Sequence, residues 1–220
     1  MHIDIHTRFI TLLGDPLAQS FAARMQNRGY EAAGLNLVYC YTITGQEHLG
    51  DIVNGLRYMP VAGFAVTKPN KVKVLEYLDE LDPLCRKMGS SNTVVKLPDG
   101  RLKGYNTDGT GFYTALTEAG IDVTKERFFC FGSGGAGRAM CSVLAYHGAT
   151  KIWITDLFPE SARSLVEDIN KNFAPVAEMV PYEDFSKVGE ATVVLNASGV
   201  GMGQSLSLIH ISEPTRHLRI

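Results

Sequence analysis

The stretch Phe128-Phe129-Cys130-Phe131-Gly132-Ser133-Gly134-Gly135-Ala136-Gly137-Arg138-Ala139 decides the fold. An apolar run of strand length meets glycines at G-x-G-x-x-G spacing. A segment of helical period follows, with Met140, Val143, Leu144 and His147 on one side. Gly132 makes the tight turn out of the strand, Gly134 lets a pyrophosphate approach the backbone, and Gly137 lets the helix pack close to the strand. The first-turn N–H groups of such a helix lack intrahelical partners, and with the helix dipole they form an anion site. Glycine turns of this kind also occur as purely structural devices. Here the context favours a dinucleotide site, because a second strand, Lys151-Ile152-Trp153-Ile154-Thr155, ends at Asp156. That is close to the roughly 20 residues expected before a ribose-binding carboxylate.

Working outward, the alternation of strand and helix continues in both directions. Downstream, Pro159–Asn172 has helical period, 176–180 reads as a short strand, and Ala191–Leu195 reads as a buried strand turning at Asn196-Ala197-Ser198-Gly199. Ligands of open α/β sheets lie beyond the carboxyl ends of strands, so Asn196, Ser198 and Met202 are expected near the cofactor. Upstream, strands are expected at Arg8–Leu13, Leu37–Ile43 and Val61–Val66. Helices are expected at Ala22–Ala33, Gln46–Leu56, from Pro69 onward, and at Thr110–Glu118. Pro98-Asp99-Gly100 reads as a hairpin turn between Asn92–Leu97 and Arg101–Gly104. The alternation predicts an α/β fold with mostly parallel sheet. An N-terminal α/β substrate domain, 1–109, precedes a Rossmann-type dinucleotide-binding domain, 110–204. Residues 205–220 carry no period and read as a non-native tail on a C-terminally truncated chain.

Composition narrows the function classes. The chain has 220 residues, of which 45% are hydrophobic and 20% charged, enough to bury a core. A net charge of −2 without a basic run points away from nucleic acid and anionic membranes. Cys40, Cys85, Cys130 and Cys141 form no C-x-x-C pair and no metal spacing, so reduced core thiols of a cytoplasmic protein are expected, with no metal. Met1–His6 has no apolar signal core. The uncharged run after Glu190 is too rich in Gly, Ser, Asn and Gln to span a membrane.

Four polar motifs fall at strand ends in the first half: Gly14–Ser20, Gly63–Lys71, Gly89–Thr93 and Gly104–Gly109. If the strands are parallel, all four gather on one rim, where a hydroxylated, carboxylated small molecule would find hydroxyl, amide and ammonium partners. Lys71 and Asp108 are the candidate chemical pair. Oxidation of a secondary alcohol must shed the hydroxyl proton, and a lysine near a carboxylate can carry it if desolvation lowers its pKa. The plainer reading makes Lys71 a solvated charge and Asp108 an N-cap.

Taken together, these motifs resemble the shikimate dehydrogenase family, which includes the quinate/shikimate dehydrogenases. The resemblance runs from Ile10 to Gly203. The family's G-N-V-T-x-P-x-K is echoed by Ala65-Val66-Thr67-Lys68-Pro69-Asn70-Lys71, and its N-T-D-x-x-G is matched by Asn106–Gly111. Its G-A-G-G-A-x-R-A is matched by Gly132–Ala139, and its N-A-T-x-x-G-M by Asn196–Met202. The resemblance implies Lys71 and Asp108 as the catalytic dyad, Asn92 and Thr67 on substrate hydroxyls, and Ser20 on the substrate carboxylate. It implies Gly132, Gly134, Gly135, Ala136, Gly137, Asn196, Ser198 and Met202 at the cofactor. Arg138 is expected either at phosphate or on the surface. Two departures stand out. The family's H-S-x-S-P is here Gln19-Ser20-Phe21-Ala22-Ala23, so Ala22 replaces a carboxylate-binding serine, and Ala65 replaces an asparagine. Gln19 is the expected replacement donor.

NADP-dependent members carry Asn-Arg-Thr after the second cofactor strand, and this chain has Thr155-Asp156-Leu157. A carboxylate accepts from free ribose hydroxyls and repels a 2′-phosphate. NAD is therefore favoured over NADP. The expected activity is reversible hydride transfer between NAD(P) and a ring hydroxyl of shikimate or quinate, with 3-dehydroshikimate reduced in reverse, by a monomer or homodimer of the shikimate pathway. The competing expectation is a nucleotide-binding remnant without turnover.

Overall fold

The computed structural model describes residues 3–18 and 20–200. The chain divides into two compact units, Met1–Thr107 and Asp108–Ile220.

The first unit opens with β1 (Arg8–Gly14), α1 (Ala22–Ala32), β2 (Leu37–Ile43), α2 (Leu49–Leu56) and β3 (Val61–Val66). A short 3-10 helix (Lys73–Tyr77), β4 (Glu80–Leu81), α3 (Pro83–Met88), β5 (Thr93–Lys96) and β6 (Leu102–Tyr105) follow. The strands form one sheet in the order β2-β1-β3-β5-β6-β4. β1 pairs parallel with β2 and β3, but β5 pairs antiparallel with both β3 and β6. β4 pairs parallel with β6, so the sheet is mostly parallel with β5 the antiparallel strand within it, because the Pro98-Asp99-Gly100 turn folds β5 and β6 into a hairpin. One face packs Leu13, Phe64, Val66 and Val94 against Leu49, Val53 and Leu56 of α2. The other packs Leu12 and Tyr39 with Ile10, Ala65 and Tyr30.

The helix expected from Pro69 is only the 3-10 turn Lys73–Tyr77. Val72 and Val74 are β-branched and disfavour a longer helix. Asp79 also draws the chain back to the sheet, accepting from Leu102 N at 2.7 Å and Arg57 Nη1 at 2.6 Å.

The second unit holds α4 (Thr107–Glu118, whose first residue closes the first unit), β7 (Arg127–Phe131), α5 (Gly135–Tyr146), β8 (Lys151–Thr155), α6 (Pro159–Asn172), β9 (Ala177–Met179) and β10 (Val193–Asn196). Its sheet is wholly parallel, in the order β10-β7-β8-β9. Strands buried on both faces read as continuous apolar runs. β7 and β8 are such strands: Phe128, Phe129, Cys130, Ile152, Trp153 and Ile154 are all buried. α6 turns Ala162, Leu165 and Ile169 inward at helical spacing. All four cysteines are free thiols; Cys40 is partly exposed and the other three are buried. The Cys130 thiol and burial together push the Cys141 thiol up.

Candidate functional site

The four polar motifs of the first unit do share one rim of its sheet, for a reason the sequence reading missed. β1, β3 and β6 end there, whereas β5, being antiparallel, begins there. Backbone bonds lace the rim together. Thr67 N donates to Leu13 O at 2.9 Å, Asp15 N to Lys68 O at 3.0 Å, Val66 N to Asn92 O at 2.8 Å and Ser91 N to Lys71 O at 2.8 Å. The buried Asn70 side chain donates to Thr44 O at 2.8 Å, and Gln46 Nε2 donates to Pro69 O at 2.9 Å.

The individual candidates are held as follows. Thr67, half-buried, also accepts from Asn70 N at 2.8 Å through its carbonyl. Ser20 Oγ accepts from Ala22 N at 3.3 Å, which leaves its own proton to be donated elsewhere. Tyr41 donates to the Ser20 carbonyl at 2.7 Å. Asn92 Oδ1 accepts from Thr107 N and Thr93 Oγ1, both at 2.9 Å, and Asn92 Nδ2 donates to Thr107 Oγ1 at 2.9 Å. The Thr107 amide can only donate, so it fixes which end of the Asn92 amide is oxygen. Lys71 is half-buried in the turn after β3. Asp108 is the second residue of α4, not its N-cap, and lies in the first turn where negative charge is favoured. The two fall in different compact units. Gln19, Met202 and the segment 205–220 lie outside the described residues.

In the second unit the candidate site is made mostly of backbone. Gly132 has a φ of 101°, a conformation only glycine adopts readily. A β-carbon there would sit 2.8 Å from Ala197 C and Ser198 N. A β-carbon on Gly137 would collide with the carbonyl oxygen of Gly132, so the helix reaches this position only as glycine. Gly134 instead faces open space, with nothing within 4 Å of the position a β-carbon would take. The first intrahelical bond of α5 runs from Arg138 N to Gly134 O at 2.8 Å. The amides of Gly135, Ala136 and Gly137 precede it and have no intrahelical acceptor. Room at Gly134 and these amides together suit a pyrophosphate.

Asp156, just past β8, is fixed through both carboxylate oxygens. Oδ2 accepts from Ser133 N and Ser133 Oγ, each at 2.7 Å, and Oδ1 accepts from Phe158 N at 3.0 Å. Asp156 is not the N-cap of α6; Phe158 holds that position. Arg138 is not a surface residue. It is 8% exposed, and its guanidinium is ion-paired with Asp168 of α6. Its long side chain lies between the two helices, where its charge finds a carboxylate. Asn196 and Ser198 form a self-bonded turn: Asn196 Oδ1 accepts from Ser198 N at 3.1 Å and Ser198 Oγ at 2.7 Å, and Ser198 Oγ accepts from Val200 N at 3.2 Å. Sequence reasoning missed Thr93, Thr107, Ser133 and Ser161 as supports. A hydroxyl beside a motif residue carries no signal of its partner until the fold is known. Among the described residues no group of three or more His, Cys, Asp or Glu could hold a metal, and no helix is long and apolar enough to cross a membrane.

Comparison with known proteins agrees with this layout. Residues 12–94 match the family model for the shikimate dehydrogenase substrate binding domain. The chain is 37% identical over 204 residues to the shikimate dehydrogenase (NADP(+)) of Listeria monocytogenes serotype 4b, covering 90% of this chain and 70% of that protein. It is 35% identical over 213 residues to the enzyme of the same name from Caldanaerobacter subterraneus, covering 97% and 76%. Among solved structures, shikimate 5-dehydrogenase from Listeria monocytogenes in complex with shikimate and NAD aligns with a TM-score of 0.82 at 36% identity, covering 92% of this chain and 72% of that one.

Proposed function

This chain belongs to the shikimate dehydrogenase family, and from that premise we propose that it transfers hydride reversibly between a nicotinamide dinucleotide and a ring hydroxyl of shikimate or a close analogue. The observation that carries the proposal is the 36% identity and 0.82 TM-score to a dehydrogenase whose structure holds shikimate and NAD together.

The roles divide between the two units. Lys71 handles the proton of the reacting hydroxyl, taking it during oxidation and returning it during reduction, and Asp108 is the second member of the proton-transfer dyad. Thr67 and Asn92 bind the remaining substrate hydroxyls. Ser20 donates to the substrate carboxylate, its lone pair being used by Ala22 N. Ala22 brings no hydroxyl of its own. One hydrogen bond to a charged group contributes about 1.5–3 kcal/mol, so carboxylate binding is weaker by up to about 10- to 150-fold unless Gln19 compensates.

The bound nicotinamide supplies or accepts the hydride. The amides of Gly135, Ala136 and Gly137 would hold its pyrophosphate beside Gly134, and Asp156 its adenosine ribose, with the Asn196–Ser198 turn alongside. NAD is favoured over NADP. Two unit charges 4 Å apart repel by about 4 kcal/mol at an effective dielectric of 20, which sets Asp156 against a 2′-phosphate. Arg163 does not offset it, being paired with Glu160 at 3.5 Å.

The test is absorbance at the NADH wavelength on mixing the chain with shikimate or quinate and either NAD or NADP. Turnover is expected with NAD, and it is expected to disappear in Asp108→Asn. Dinucleotide binding with no turnover on any of these hydroxy acids would favour a nucleotide-binding remnant instead.

A further inference from the structure

We infer that Ser133 is a positioning residue for dinucleotide choice: it holds the Asp156 carboxylate so that the site takes a nucleotide with free ribose hydroxyls and disfavours one carrying a 2′-phosphate. The inference rests on the reading of Gly132–Gly137 and Asp156 as the dinucleotide site.

Nothing in G-x-G-x-x-G spacing asks for a hydroxyl at its second position. Here that position is a serine, 2% exposed, and both of its donors are spent on one carboxylate oxygen. Ser133 Oγ also lies 2.7 Å from Ser161 Oγ in the first turn of α6. The Ser133 hydroxyl thus reaches both Asp156 Oδ2 and Ser161 Oγ, each at 2.7 Å. This polar relay links α6, the glycine turn and the end of β8.

The relay has two consequences for a nucleotide. An ionised carboxylate offers about four lone-pair positions, and Ser133 N, Ser133 Oγ and Phe158 N occupy three of them. The position left is on Oδ1, ready to accept from a ribose hydroxyl. All three donors are also neutral, so none cancels the charge of Asp156. The two arginines of α5 and α6, Arg138 and Arg163, are paired with Asp168 and Glu160. A full negative charge is thereby held in one orientation, which discriminates most sharply against a second anion.

The test is calorimetric titration of NAD and of NADP into the full chain and its Ser133→Ala, Ser133→Thr and Ser161→Ala variants, with steady-state kinetics alongside. The wild type is expected to bind NAD more tightly than NADP. Ser133→Ala is expected to raise the Kd for NAD by about 5- to 20-fold, less than a whole charged hydrogen bond because two backbone donors remain. NADP binding should be unchanged or tighter, so the NAD preference falls. KM for NAD should rise with Kd while kcat and the shikimate KM hold. Ser133→Thr keeps the hydroxyl and should restore the NAD preference. Ser161→Ala removes only the outer partner of Ser133 and should shift the preference by about 2- to 5-fold. An unchanged NAD:NADP ratio in a folded Ser133→Ala overturns the inference. If that variant does not fold, an unchanged ratio in Ser161→Ala overturns it. A wild type that prefers NADP also overturns it. A wild type that binds neither dinucleotide sinks the cofactor reading itself, which separates the two failures.

Discussion

The two units present their candidate sites by opposite means. In the first, the proposed site is built of side chains: Ser20, Thr67, Lys71 and Asn92 stand at the rim of a mixed sheet. In the second it is built mostly of backbone, with Gly132 and Gly137 admitting no β-carbon, amides at the start of α5 that lack intrahelical acceptors, and one braced carboxylate. Side chains can be exchanged one at a time. A backbone site cannot drift in that way, because each substitution moves the chain itself. The difference predicts that specificity evolves in the first unit while cofactor binding stays fixed in the second.

The largest effect should come from separating the two functions. Lys71→Ala is expected to lower kcat by about 10²- to 10⁴-fold, the usual contribution of a positioned proton-transfer group. Its NAD affinity by calorimetry should stay at the wild-type value. Parallel losses of both would break the division of labour.

Gly137→Ala is the complementary experiment. Its methyl would strike the Gly132 carbonyl oxygen. Overpacking of this kind costs about 1–3 kcal/mol, and NAD binding should be lost with it. Thermal unfolding read from Trp153, in β8, together with NAD titration, checks both.

Smaller effects should follow from charge. Arg57 and the Leu102 amide hold the Asp79 carboxyl below its ordinary value of 3.8. A lowered carboxylate pKa stabilises the fold above the ordinary value, and that contribution is lost as pH falls through the folded value. Asp79→Ala should cost about 1 kcal/mol at neutral pH, since both partners are a quarter to a third exposed. It should also remove part of the acid sensitivity, as urea unfolding at pH 7 and pH 3 would show.

The smallest effect belongs to His147, stacked on Tyr113 with ring centroids 3.5 Å apart and planes within 6°. Burial holds its pKa below the ordinary 6.5. Its contribution is therefore complete above pH 6.5 and declines as pH drops through the lowered value. His147→Asn should flatten the stability profile between pH 7 and pH 5.

Legibility in the sequence followed the same division. The glycine turn, β7, β8 and α6 could be read at once, because apolar runs and helical spacing are local signals. Gly132 and Gly137 carried their geometry in their identity. α3 was equally legible and was overlooked. Asp82 accepts from Leu84 N at 3.0 Å, Pro83 opens the helix, and Gly89 ends it at a φ of 63°. The Pro98–Gly100 turn announced that β5 and β6 pair, but the docking of that hairpin on β3 was hidden, since nothing in β5 alone names its other neighbour. The destination of Arg138 was hidden as well. Its partner Asp168 lies 30 residues on, and only the packing of α5 against α6 brings the two together.

The antiparallel entry of β5 has one further outcome. Asn92 sits where β5 enters the sheet, so the turn at Pro98–Gly100 is carried to the opposite end, closed by Leu97 N on Arg101 O at 2.8 Å. That turn can therefore be lengthened or shortened while the candidate-site end of the hairpin stays in register. The chain keeps a tolerant end and an intolerant end on the same pair of strands, and a graft or affinity tag inserted after Asp99 would exploit the tolerant one.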